Sequence, residues 1–81
     1  MAADRASRPL QRMMLRGVVA KNLRRLRHER GLSQEDLADR AHVNRNYVGM
    51  LEREEHAATV DTLERLSGVL GVDPAEFLRR G

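Results

Sequence analysis

Apolar residues recur at Leu15, Val19, Leu23 and Leu26, a spacing of three to four that lays them along one side of a helix. Pro9 suits a first helical turn, because the N–H it lacks is one that a helix start leaves unpaired. The pattern therefore predicts a first helix from about residue 10 to Arg30. Gly17 adds backbone freedom near its start, so the stable portion is expected to begin near Val18. Gly31 then offers a residue that accepts left-handed dihedrals at a helix end. Ser33 with Asp36 three positions on is a near capping box, opening a short second helix whose inner side is Leu37, Ala38 and Ala41.

The connection Ala41-His42-Val43-Asn44 is brief, and Asn44 is the expected N-cap of a third helix with Val48 and Leu51 facing inward. Two short helices joined so tightly must cross steeply. From Glu52 to Ala58 the chain has only two alanines to bury, which predicts a solvated loop. Thr59 is the expected cap of a fourth helix with the stripe Leu63, Leu66 and Leu70, ended by Gly71. Asp73-Pro74-Ala75-Glu76 supplies a cap, a first-turn proline and a first-turn acid for a fifth helix, anchored on the core by Phe77 and Leu78.

Composition agrees with helices. One Phe, one Tyr and no Trp leave Leu, Val, Ala and Met to build the core. A chain of 81 residues suffices for one domain, yet it buries only roughly 60 to 65% of its unfolded surface, so self-association would add needed stability. The absence of cysteine rules out disulfides and thiolate metal sites. His28, His42 and His56 are spaced by fourteen residues, not by the four that put two ligands on one helical face, so no metal site is expected. Leu10 to Ala20 is interrupted by Arg12 and Arg16, is too short to span a bilayer and lacks the clean apolar block of an export signal. A cytoplasmic protein without membrane partners is expected.

Net charge is only +3, but it is unevenly placed. Residues 1–30 carry nine Lys/Arg against two acids, and residues 31–81 carry six against ten. A flexible basic arm over residues 1–9, followed by a basic first helix, suits contact with phosphates. Residues 10–81 are expected to form a single domain. No paired nucleophile and base, metal cluster or phosphate loop is visible, which argues against an enzyme and leaves no cofactor or small-molecule ligand to expect.

Gly31-Leu32-Ser33-Gln34-Glu35-Asp36-Leu37-Ala38, Ala41-His42-Val43-Asn44-Arg45-Asn46-Tyr47-Val48 and Leu51-Glu52-Arg53 together resemble the helix-turn-helix of the lambda/434 repressor and Cro class, the XRE family. Leu63 through Leu78, with Leu70-Gly71-Val72-Asp73-Pro74, is similar to the last two helices of that family. The resemblance implies an all-α, five-helix, lambda-repressor-like DNA-binding domain, its helix-turn-helix proper at residues 33–52. It implies a transcriptional regulator that binds a near-palindromic stretch of double-stranded DNA as a homodimer. Asn44 to Met50 also looks like the controller proteins of restriction-modification systems.

In that family the third helix enters the major groove. At about 100° per residue, with Val48 and Leu51 inward, Asn46, Gly49, Met50 and Arg53 are expected to point outward, with Arg45 and Tyr47 on the flanks. Arg45 is the best candidate for reading guanine, since a guanidinium donates two bonds to that base's paired acceptors, and Asn46 suits adenine. Gly49 would allow close backbone approach and Met50 contact with a thymine methyl. Asn44 belongs with this group chiefly as a cap, and Tyr47 also suits the edge of the core. Gln34 matches the family position that bonds phosphate beside a helix N-terminus. Arg27 and Glu52 match a family pair that orients the third helix.

Two departures change the picture. The family turn usually carries glycine, and His42 stands there instead, a residue that tolerates left-handed dihedrals better than most. Relatives often carry basic or amide residues after the third helix, where Glu54 and Glu55 would repel phosphate, leaving compensation to the arm's arginines. The rival reading on the same fold is an antitoxin-like or other helical protein-interaction module that docks on another protein.

Overall fold

The computed structural model describes residues 14–81. Four α-helices follow in order, α1 (Leu15–Glu29), α2 (Gln34–Ala41), α3 (Tyr47–Glu52) and α4 (Val60–Leu70), and a 3-10 helix spans Pro74–Leu78. No strand occurs among the described residues, as the composition predicts, and none of their helices is long and apolar enough to cross a membrane. The expected arm and the expected helix start near residue 10 lie outside the described residues. Gly17 does not delay α1, which is regular from Leu15 and buries Gly17.

The core gathers the inner faces of all these elements. Val19, Leu23 and Leu26 of α1 meet Leu37, Ala38 and Ala41 of α2, Val48 and Leu51 of α3, Leu66 and Leu70 of α4, and Phe77. The helix starts follow their caps. Ser33 Oγ accepts from the Asp36 N–H at 2.9 Å while Asp36 Oδ2 accepts from the Ser33 N–H at 3.3 Å, and Thr59 Oγ1 accepts from the Thr62 N–H at 3.0 Å. These contacts use backbone donors that the first helical turn cannot satisfy internally.

Every α-helix closes on a left-handed residue. After α1, Gly31 has φ +65°, its N–H donates to the His28 carbonyl, and the Leu32 N–H reaches back to the Arg27 carbonyl. The same crossed pair of bonds follows α2, where His42 takes φ 58° and the Val43 N–H donates to the Ala38 carbonyl at 3.0 Å. Glu54 repeats it after α3 with φ 63°, and Gly71 closes α4 with φ 71°. This arrangement is the Schellman motif, which satisfies the last carbonyls and reverses the chain within two residues. Glycine announced two of the four. Nothing in the sequence marked Glu54.

Three expectations are corrected. The third helix does not start at Asn44. Asn44 Oδ1 accepts from the Asn46 N–H at 2.8 Å, and its carbonyl accepts from the Tyr47 N–H at 2.9 Å, so a tight turn precedes a helix of six residues. The fifth α-helix is instead a 3-10 helix of five residues, closed by bonds from the Glu76 N–H to the Asp73 carbonyl and from the Arg79 N–H to the Glu76 carbonyl. Asn22 Nδ2, buried on α1, donates to the Phe77 carbonyl at 2.9 Å and the Arg79 carbonyl at 2.8 Å, and Arg79 is already extended. Lastly, only Phe77 reaches the core. Side chains in a 3-10 turn step by about 120°, so Leu78 points away and stays 46% exposed. Leu15, expected on the buried stripe, is likewise 53% exposed.

Asn22 thus ties the end of the chain to α1. Asn22→Ala removes the donor to two carbonyls, one of the bonds being buried, and is expected to cost about 1 to 3 kcal/mol in urea unfolding. A loss under about 0.5 kcal/mol would show that water replaces the amide.

Candidate nucleic-acid interface

α3 sits where a single carboxylate holds it. Glu52, at the last turn of α3, accepts from Arg27 Nε at 2.7 Å and Arg27 Nη2 at 2.9 Å, a two-point ion pair in which both side chains are buried. Arg27 Nη1 also donates to the Leu32 carbonyl at 2.9 Å. Gln34 Nε2 donates to Glu52 Oε1 at 3.0 Å, and Arg24 Nη2 donates to the Glu52 backbone carbonyl at 2.8 Å. α1, the start of α2 and the end of α3 therefore converge on one side chain. Burial pushes the Glu52 carboxyl up, but the hydrogen bonds from Arg27 and Gln34, with the charges of Arg27 and Arg24, outweigh it and hold the group below its usual range. No buried side-chain polar atom among the described residues lacks a partner.

Gln34 lies at the first position of α2, as its expected phosphate-binding place requires, but its amide is already engaged. Gly49 is corrected. It is buried rather than outward, and a Cβ built on it would meet Arg53 Nη1 at 3.0 Å and Gln34 Oε1 at 3.1 Å. Its lack of a side chain makes room for Gln34.

Asn44, Arg45 and Asn46 are all exposed in the turn ahead of α3, while Tyr47 and Met50 are half-buried. Tyr47 packs on the edge of the core, its ring 6.4 Å from that of His56. Arg45 is not free. Its Nη2 lies 2.8 Å from Glu35 Oε1, and its Nε lies 3.9 Å from Asp39 Oδ1, both on α2. These two acids were not singled out from sequence, although their spacing of four on a helix places them side by side.

The acidic loop is also less negative than its sequence implies. Arg53 donates from Nε and Nη2 to the Glu55 carboxylate at 2.9 and 3.2 Å. That contact holds Glu55 below the usual carboxylate range and pairs its charge beside the end of α3. Glu54 takes the left-handed position that turns the chain toward α4. The arrangement is a short helix and its leading turn, carrying an arginine and two asparagines outward on a rigid mount. It has the width to enter a nucleic-acid groove and the donors to read base edges.

Three outcomes follow. Because folding lowers its pKa, Glu52 stabilises fully above the ordinary carboxylate range, and that contribution is lost as pH falls through the depressed folded value. Stability measured by urea titration is expected to decline across that acid window, and less steeply in Glu52→Gln; equal slopes would remove Glu52 as a source. Glu52→Ala, leaving Arg27 buried without its carboxylate, is expected to cost about 3 to 5 kcal/mol. Gly49→Ala should shift the Gln34 side-chain amide resonances while keeping stability within about 1 kcal/mol, since helix propensity gains as the two flexible side chains give way. Unmoved Gln34 resonances would show that Arg53 alone adjusts.

Comparison with known proteins agrees with this geometry. The profile of the Helix-turn-helix family HTH_3 matches residues 23–77. The uncharacterized HTH-type transcriptional regulator y4dJ of Sinorhizobium fredii is 39% identical over 66 residues, covering 82% of this chain and 86% of its own. The crystal structure of the hypothetical transcription factor NHTF from Neisseria superposes with a TM-score of 0.78 at 35% identity, covering 80% of this chain and 75% of that one. The restriction-modification controller protein C.AhdI from Aeromonas hydrophila gives a TM-score of 0.71 at 35% identity, over 74% of this chain and 91% of that one. With the Arg27–Glu52 mount, the left-handed turn at His42 and the short α3 in place, the chain belongs to the XRE-type helix-turn-helix family of transcriptional regulators.

Proposed function

We propose that this protein is a sequence-specific DNA-binding regulator that places α3 in the major groove of a near-palindromic operator as a homodimer. The observation that carries this reading is the exposed Asn44-Arg45-Asn46 turn, set on a helix whose far end is locked by Glu52. Arg45 reads guanine through its paired donors and Asn46 reads adenine. Asn44, Tyr47 and Met50 border the base contacts, and Gln34, braced by Glu52 and seated over Gly49, positions the phosphate.

The homodimer is supported by an apolar groove of about 210 Å³, lined in part by Leu15, Val19, Ala58, Leu63 and Leu78. Such a surface suits a chain too small to bury much alone, and a second copy brings the same patch to a two-fold axis. Two third helices then sit about 34 Å apart, in successive major grooves. Likeness to C.AhdI extends the reading to a controller that acts in the cytoplasm by occupancy, its effect following its own concentration.

Selection from a random-sequence DNA library at two salt concentrations is expected to enrich a near-palindrome, with affinity falling steeply as salt rises. No enrichment, with binding undetectable at low salt, would refute the regulator, and a monomer that captures a different protein would favour an interaction module. Arg45→Ala is expected to relax preference at one base of each half-site, at a cost of about 1 to 3 kcal/mol. An unchanged motif would remove Arg45 from the reading set.

A further inference from the structure

The cation offered to bases is held by two acids of the neighbouring helix. Glu35 and Asp39 stand one turn apart on α2 and converge on Arg45, with contacts of 2.8 Å at Nη2 and 3.9 Å at Nε. All three side chains are exposed, at 65%, 62% and 63% respectively. Water screens such pairs, so fold stability does not account for the arrangement.

Local helix energetics account for only half of it. Glu35 lies in the first turn of α2, where the helix dipole favours an acid. Asp39 lies towards the other end, where the dipole disfavours one, and like charges four apart repel each other. DNA affinity does not account for it either, since two carboxylates beside a phosphate-facing surface oppose binding.

A role in discrimination accounts for both acids. We propose that Glu35, supported by Asp39, is a specificity-determining residue that withholds Arg45 from phosphate and releases it only to a guanine. This rests on the reading of Arg45 as a base contact. A phosphate oxygen offers Arg45 what a carboxylate already gives it, and the exchange strands two acids against the DNA backbone. Guanine also offers two acceptors in the plane of the guanidinium, but it meets Arg45 only in the register of the specific complex, where the neighbouring base contacts form together and offset the loss of the acids' contact. The acids therefore penalise unspecific complexes more than the specific one, a repulsive element built in against wrong partners. They also narrow the orientations of a long side chain before binding, lowering the entropy lost on contact.

The test compares wild type, Glu35→Gln, Asp39→Asn and Arg45→Ala, each also combined with Arg45→Ala where that applies. Each protein is titrated with its selected DNA duplex and with a duplex of scrambled sequence, over a range of salt. Glu35→Gln is expected to tighten scrambled-duplex binding about tenfold, to steepen its salt dependence by about one released ion, and to lower the specificity ratio by a similar factor. Asp39→Asn should act in the same direction and more weakly, in keeping with its longer contact. In the Arg45→Ala background, neither change should alter the ratio.

A ratio unchanged by Glu35→Gln would overturn the proposal, showing Glu35 to be a general repulsive charge that weakens both complexes alike. A ratio altered equally with and without Arg45 would also overturn it, since the effect would not pass through the guanidinium. Failure of wild type to select any sequence is a separate result, and it sinks the DNA-binding reading itself. Circular dichroism and melting curves matching wild type verify that these exposed substitutions leave the fold intact.

Discussion

The molecule is organised around a buried carboxylate. Glu52 ends α3, yet its partners come from the last turn of α1 and the first residue of α2. A charge removed from water is tolerated only where opposite charge and hydrogen bonds replace the lost hydration. Here two Arg27 donors and one Gln34 donor do so, and the geometry they impose fixes α3 against both other helices. Apolar contacts through Val48 and Leu51 would accept small slides of α3 along its groove. A two-point guanidinium pair does not, because both bonds must stay coplanar.

Around that anchor, chain reversal is handled four times by the same backbone device. The Schellman closures after α1, α2, α3 and α4 keep the connections short, so the helices cannot drift apart. Two use glycine and two do not. His42 and Glu54 hold left-handed dihedrals that L residues adopt at a cost of about 1 kcal/mol. Both lie beside α3, one before it and one after it, where a side chain remains exposed. The strain is local, while the direction it sets for α3 is shared by the whole interface.

Most of the architecture was legible because helix signals are local. The leucine spacing, the Ser33 and Thr59 caps, and the glycines at 31 and 71 each act within one turn, so sequence neighbours suffice to read them. The Arg27–Glu52 pair was legible only through family resemblance, since a separation of 25 positions hides it from any periodicity. What escaped were side chains acting across elements. Asn22 sits on an otherwise apolar face, and its partners, the carbonyls of Phe77 and Arg79, lie 55 and 57 positions away. Gly49 looked outward by helical angle, but the angle says nothing about Gln34 and Arg53 folding over it. Glu54 and Glu55 read as bare negative charge because the compensating Arg53 contact depends on a turn that no glycine announces.

Asn22 also has an effect beyond the interior it occupies. By bonding the carbonyls of Phe77 and Arg79, it pins the end of the 3-10 turn to α1, beside the place where Leu78 lines the exposed groove with Leu15 and Leu63. The outline of the exposed apolar groove is thus drawn by an amide that solvent does not reach. A surface survey of this groove would pass over Asn22, although it governs the groove's shape. A change at that one hidden position is therefore a route to reshaping the groove while every groove-lining side chain stays the same.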